Sequence, residues 1–230
     1  MSVTGVSCYF PIKNKHGNKY TEWFKTSLRI NCPYVFFTTS ALVPLIKSCR
    51  GDLPTHFIEC EISDFYTYPF KDKISPHEYH CPSVELNLVW NEKMMMVEKA
   101  AAINPFQSDW FMWVDAGICI YRDCTPSIAV PCVKNLPLDR LIFSSSDSPT
   151  FNCEFVLPDS YYHYVSGTYV LHKHMIPKMA ALYREYFEKL VDDKNIWTDQ
   201  VILTHMYKDY PELFYKLCHG YGEVIRYLLT

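Results

Sequence analysis

Over its first half this chain alternates short apolar runs with helix-spaced segments, and that alternation constrains the fold more than any other feature. Val6–Ile12, Pro33–Thr38, Thr55–Ile62 and Trp110–Val114 are rich in aromatic and β-branched residues and read as strands. Between them, Tyr20–Ile30, Ala41–Cys49 and Val84–Ile103 carry apolar residues at helical spacing. Ser40 is placed to cap the second helix, and Asn104-Pro105 closes the third. Asp64–Pro82 is aromatic, aperiodic and loop-like. Downstream, Ile118–Tyr121, Leu141–Ser144, Phe151–Leu157 and Tyr164–Leu171 read as shorter strands, and Ile176–Val191 and Thr198–Lys208 as helices. Val224–Leu229 reads equally as a strand or a helix. The expected class is α/β, with a mostly parallel central sheet flanked by helices and a mixed C-terminal half. No repeat or linker divides residues 1–230, so one domain is expected, with halves at about 1–123 and about 124–230.

Composition excludes several classes of partner. A net charge of -3 argues against non-specific nucleic-acid binding. The sequence has no apolar run of the roughly 18 residues a membrane span needs. Its start, MSVTGVSCYF, lacks the basic and apolar regions of a secretory signal. Ten cysteines are scattered without a C-x-x-C pair, which disfavours a structural zinc site and suggests reduced thiols in a cytoplasmic protein, with a disulfide-bonded lumenal form as the alternative.

Two charged residues stand out against apolar surroundings. Lys93 shares its helix face with Leu86, Val89, Trp90, Met96, Val97 and Ala100. Its ammonium must snorkel, pair with a distant carboxylate, or reach an anionic ligand such as a diphosphate. Asp115 follows the strand Trp110–Val114, and ligands of open α/β sheets bind beyond the carboxyl ends of strands. A carboxylate there could hold a divalent cation or a ribose hydroxyl, with Ala116 and Gly117 making room for the ligand. Alternatively, Asp115 caps a turn and Gly117 supplies a positive φ.

The stretch VELNLVWNEKMMMVEKAAAINPFQSDWFMWVDAGICIYRD resembles the HtrL/YibB family, read as glycosyltransferases, in its W-N-x-K helix, its N-P-F punctuation and its W-V-D-A-G-I strand end. CYFPI, SGTYVLHK, WTDQVIL and CHGYG are similar to other segments of that family, so the resemblance spans most of the chain. It implies a GT-A-like fold with a nucleotide-binding first half and an acceptor-binding second half. The implied activity is transfer of a sugar from a nucleotide sugar to a glycan or glycoprotein acceptor, assisted by Mn²⁺ or Mg²⁺. Such folds carry a D-x-D motif at this strand end; here Asp115 matches one carboxylate and Gly117 stands in place of the other.

The resemblance also suggests roles for other residues. His219 is a candidate second metal ligand beside Asp115; it is equally a helix C-terminal residue with Gly220 as cap. Tyr9, Phe10 and Pro11 end the first strand, where such folds hold the base and an aromatic could stack on it, and Thr38 and Thr39 could touch the nucleoside; strand-end packing explains all five as well. Ser166 and Gly167 would admit a sugar on the acceptor side. Asp199, beside an N-cap already supplied by Thr198, is the candidate general base, with Gln200 positioning the sugar. His77, His80, Cys81, His172 and His174 read as surface or packing residues, and Tyr161, Tyr162 and Tyr164 as acceptor groove or core. The rival readings are a metal-dependent phosphohydrolase and a degenerate, non-catalytic nucleotide- or carbohydrate-binding module, the latter favoured by the missing second carboxylate.

Overall fold

Continuous apolar runs such as Tyr34–Thr38 are explained by a sheet buried on both faces. In the computed structural model, which describes residues 2–76, 78, 81–146, 164–193, 196 and 198–230, the strands are β1 (Val3–Tyr9), β2 (Tyr34–Thr38), β3 (Thr55–Glu59), β4 (Trp110–Trp113), β5 (Leu141–Ser145), β6 (Val165–His172) and β7 (Phe214–His219). Among the described residues they form one seven-stranded sheet in the order β3-β2-β1-β4-β6-β5-β7. Pairings are parallel except those of β6, which runs antiparallel to both β4 and β5. The fold is therefore α/β with a mostly parallel sheet and a mixed second half, as the sequence predicts.

Side chains alternate across the sheet with the period of two that a strand imposes. Val35, Phe37, Phe111 and Trp113 pack into one core layer. Tyr34, Phe36, Trp110 and Met112 pack into the other. The first layer is closed by α3 (Val84–Asn91), α4 (Lys93–Ile103), α5 (Ile176–Leu190) and α6 (Asp199–Asp209). The second is closed by α1 (Tyr20–Ser27), α2 (Val43–Arg50) and α7 (Glu223–Leu228). At about 1.5–3 kcal/mol for each large apolar side chain removed from water, these layers dominate stability.

Several expectations need correction. The single helix over Val84–Ile103 is two helices separated at Glu92, whose buried carboxylate accepts the backbone N–H groups of Tyr66 and Thr67, each at 3.0 Å. Ser40 is no N-cap: it opens a 3-10 turn, Ser40–Leu42, and α2 begins at Val43. Ile118–Tyr121 is not a strand but leads into a 3-10 turn at Cys119–Tyr121, where Ile118 and Tyr121 pack into the same apolar layer as Val224 and Ile225 of α7. Val224–Leu229, open between strand and helix in sequence, falls on the helix Glu223–Leu228, with Leu229 as its C-cap. β7 has no counterpart among the predicted strands: Tyr215 and Lys216 are exposed, so its apolar signal is weak. The predicted strand Phe151–Leu157 lies outside the described residues, as do His77, His80, Tyr161 and Tyr162.

Candidate functional site

β1 is the point where the strand order reverses: β2 and β3 build outward on one side, and β4 lies on the other. In open α/β sheets the crevice at such a switch point, beyond the carboxyl ends, is where ligands bind. A cavity of about 360 Å³ occupies it, lined at one side by the end of β1 (Cys8, Tyr9, Phe10) and at the other by the exit of β4 (Trp113 and Asp115 to Ile118).

The deep end of this cavity is built from three charged side chains. Lys93 begins α4, Asp199 begins α6, and Asp115 leaves β4. Lys93 Nζ lies 3.1 Å from Asp115 Oδ1 and 3.2 Å from Asp199 Oδ1. Asp115 Oδ1 also accepts the indole N–H of Trp113 at 2.9 Å, and its Oδ2 accepts the hydroxyl of Tyr221 at 2.5 Å. Thr198 caps α6 by accepting the N–H of Gln200, and its hydroxyl donates to Asp199 Oδ1 at 3.0 Å. Asp199 Oδ2 is buried with no hydrogen-bond partner among the described residues. A buried carboxylate oxygen left unpaired carries a desolvation cost, so this atom is the one in the site that most needs a proton or a donor.

The two carboxylates are pushed apart in acidity. Enclosure by protein would raise Asp115, but the Lys93 ammonium and the hydrogen bonds from Tyr221 and Trp113 outweigh it and hold the group below its ordinary value. Asp199 is raised to about 6, chiefly by burial and further by the negative charge of Asp115, against the pull of Lys93. Lys93 is held firmly protonated: burial opposes its charge, but two adjacent carboxylates override it. Divergent acidities in a coupled pair of carboxylates are how a site assigns one a permanent charge and the other a proton-transfer role.

The remaining predicted site residues fall into two groups. Tyr9, Phe10, Lys93, Asp115, Ala116, Gly117, Asp199 and Gln200 line the cavity. Phe10 is only 3 % exposed and packs edge-on against Phe65, so of the aromatic pair Tyr9 has the more accessible ring. Pro11, Thr38, Thr39, Ser166, Gly167 and His219 are not among the lining residues. Thr38 is buried and donates to the Tyr9 carbonyl at 2.8 Å, a contact that ties β2 to β1. Ser166 is buried in β6 and donates to the Thr168 carbonyl.

Both glycines are small for reasons other than those expected. A Cβ on Gly117 would sit 2.6 Å from the Tyr20 ring and 3.2 Å from Trp23, so α1, not a ligand, occupies the space beside it. Nor is Gly117 among the positive-φ residues. A Cβ on Gly167 would lie 3.0 Å from Lys93 Nζ and 3.1 Å from Asp199 Oδ2, so its bare backbone accommodates the ion pair.

The pairing of Asp115 with His219 as metal ligands is likewise corrected. His219 ends β7, not a helix, and its Nδ1 lies 2.9 Å from Ser145 Oγ. Tyr221 is the residue from that segment that reaches Asp115; Gly220 (φ 109) and Gly222 (φ 82) make the reversals that turn it inward. The donors present do not fit a divalent cation at Asp115. Its oxygens already accept hydrogen bonds from Trp113 and Tyr221, and the Lys93 ammonium stands where a cation would be repelled. Among the described residues no three His, Cys, Asp or Glu side chains converge. Sequence reasoning missed Tyr221, Tyr20, His16 and Arg122 as cavity residues; a tyrosine flanked by glycines in HGYG was the one available signal.

Comparison with known proteins adds three findings. No curated protein matches the chain. A solved structure, that of 4-diphosphocytidyl-2C-methyl-D-erythritol synthase from Anaerococcus prevotii DSM 20548, superposes with a TM-score of 0.48 at 11 % identity, covering 97 % of this chain and 89 % of that one. The family described as bacterial protein of unknown function (HtrL_YibB) matches residues 70–227, which include Lys93, Asp115, Asp199 and Tyr221. The chain therefore belongs to the HtrL_YibB family.

Proposed function

We propose that this chain is a nucleotide-sugar-dependent glycosyltransferase acting on a glycan or glycoconjugate acceptor in the cytoplasm, with residues up to about 123 holding the donor and later ones the acceptor. The observation that carries the reading is the Lys93–Asp115–Asp199 cluster at the deep end of a cavity at the sheet's switch point. Asp199 Oδ2, unpaired and adjusted to about 6, accepts the proton of an acceptor hydroxyl. The freed oxygen attacks the anomeric carbon, and the bond from that carbon to the diphosphate oxygen breaks. Its electron pair leaves with the nucleoside diphosphate. Asp115 stays ionised and, with Lys93, fixes the charge around Asp199, so that the proton transfer occurs at a preset potential. Gln200, whose Nε2 donates to Ser146 Oγ at 3.2 Å, offers its amide oxygen to a sugar hydroxyl, and Tyr9 offers a ring face to the base. No step passes through a metal, because the Lys93 ammonium already stands between the two carboxylates.

Incubation of the chain with UDP-, GDP-, CMP- and dTDP-sugars, followed by chromatography of released nucleotide, tests the reading. One donor is expected to be hydrolysed or transferred, and the Asp199→Asn variant to be inactive. The second reading, a non-catalytic nucleotide- or carbohydrate-binding module, is favoured by Gly117 in place of a second carboxylate. It prevails if a donor binds in calorimetry and is never turned over. Asp115 as a phosphohydrolase nucleophile is disfavoured, since three donors already engage its oxygens.

A further inference from the structure

The cavity is electrically divided. Its deep end holds two carboxylates against one ammonium, a net negative charge when all three are ionised. Its outer rim is the reverse, lined by Lys15, His16 and Arg122. Lys15 is exposed, while His16 and Arg122 are partly buried. Among the described residues, neither Lys15 nor Arg122 forms an ion pair with a carboxylate.

These cations are placed, not merely adjacent. Arg122 lies 3.8 Å over the ring of Trp23, and its Nε donates to the Gly117 carbonyl at 2.9 Å. That anchors the guanidinium by its stem side and leaves its two terminal nitrogens without a hydrogen bond among the described residues. His16 meets the same Trp23 edge-on, centroids 5.0 Å apart, and Tyr20 at 5.9 Å. The loop that carries it is shaped by Asn14, whose Oδ1 accepts the His16 N–H at 2.8 Å and whose Nδ2 donates to the Ile12 carbonyl at 3.0 Å. Two loops, one after β1 and one after β4, thus deliver basic side chains, His16 and Arg122, to one tryptophan. Burial, then Arg122, Lys15 and Lys19, pull His16 below its ordinary value, as expected where cations gather without an anion.

We propose that Lys15, His16 and Arg122 form the seat of the donor's diphosphate, an assignment that rests on the transferase reading above and specifies where its donor lies. Electrostatics decides the orientation. Phosphates at the deep end would face two carboxylates, whereas at the rim they meet a fork of free guanidinium donors and an ammonium. The sugar then points inward, toward Asp199, and the phosphates outward.

Calorimetric titration of the full chain with pyrophosphate, and separately with UDP and GDP, tests the assignment in the wild type, Lys15→Gln and Arg122→Gln. Each variant is expected to bind pyrophosphate about tenfold or more weakly, the loss of one charge-assisted contact. Lys15 is exposed, so its variant keeps the fold even if Arg122→Gln does not. By NMR, saturation with pyrophosphate should also raise the His16 imidazole pKa. Wild-type protein that ignores pyrophosphate at millimolar concentration, or a Lys15→Gln chain that binds it equally well with His16 unmoved, overturns the assignment. The two readings fail separately. Pyrophosphate binding lost in the variants, with no nucleotide sugar ever consumed, keeps the anion seat and removes the transferase. A nucleotide sugar consumed equally by wild type and both variants does the opposite.

Discussion

The ammonium of Lys93 stands 3.2 Å from Asp199 Oδ1, joining the first residue of α4 to the first residue of α6 across the end of the sheet. The same nitrogen reaches Asp115 at 3.1 Å, and the lysine is only 3 % exposed. Its charge is thus compensated inside the protein before any ligand arrives. That explains how an ammonium survives on an apolar helix face.

Replacing Lys93 by Met leaves two enclosed carboxylates facing each other with no counter-charge. The expected loss of stability is about 3–5 kcal/mol, measured by urea unfolding near neutral pH. Combining it with Asp199→Asn should recover part of that loss, because one of the repelling charges is gone. A Lys93→Met protein as stable as the wild type would show that the lysine does not balance these carboxylates.

Asp199 makes stability depend on pH in an unusual direction. Its folded value, about 6, lies above the ordinary 3.8, so between these values the native state binds more protons than the unfolded chain. Stability therefore falls as pH rises from about 4 to about 6, by about 3 kcal/mol at 1.36 kcal/mol per unit. Asp115 is shifted the other way and titrates below this window. Melting temperatures of wild type and Asp199→Asn across the range should converge at the acid end and separate above it, with the variant relatively more stable. Turnover by the wild type should rise with pH through about 6; parallel melting curves for the two proteins would remove Asp199 from the acid–base role.

Tyr221→Phe removes the hydroxyl that donates to Asp115 Oδ2. One charge-assisted hydrogen bond is lost, at a cost of about 1.5 kcal/mol in denaturant unfolding. Asp115 should become less acidic, a change visible in its carboxyl carbon shift by NMR. An unaltered titration would mean that Tyr221 packs beside the carboxylate without controlling it.

Metal removal should have little effect. Nucleoside diphosphate affinity is expected to be the same in EDTA and in excess Mn²⁺, because a cation at Asp115 would have to displace the Lys93 ammonium and two hydrogen bonds. A tenfold tightening on adding Mn²⁺, about 1.4 kcal/mol, would show that the cluster rearranges to admit one.

Local pattern alone determined the layers of this protein. Apolar runs and helical spacing placed the cores of β1, β2, β3 and β4 and of α5 and α6, and Thr198 announced the start of α6, because each signal is written within a few consecutive residues. The same local reading identified Lys93 and Asp115 as anomalies, since each is a charge in an apolar frame. Partnership was decided only by tertiary structure. Lys93, Asp115, Asp199 and Tyr221 lie on four separate segments, and only the order in which strands join the sheet brings them to one cavity. His219 and Tyr221 look interchangeable in sequence; two left-handed glycines decide that the tyrosine turns inward. Gly117 and Gly167 are small because side chains from distant helices fill the space beside them, a fact about packing that no stretch of contiguous residues encodes.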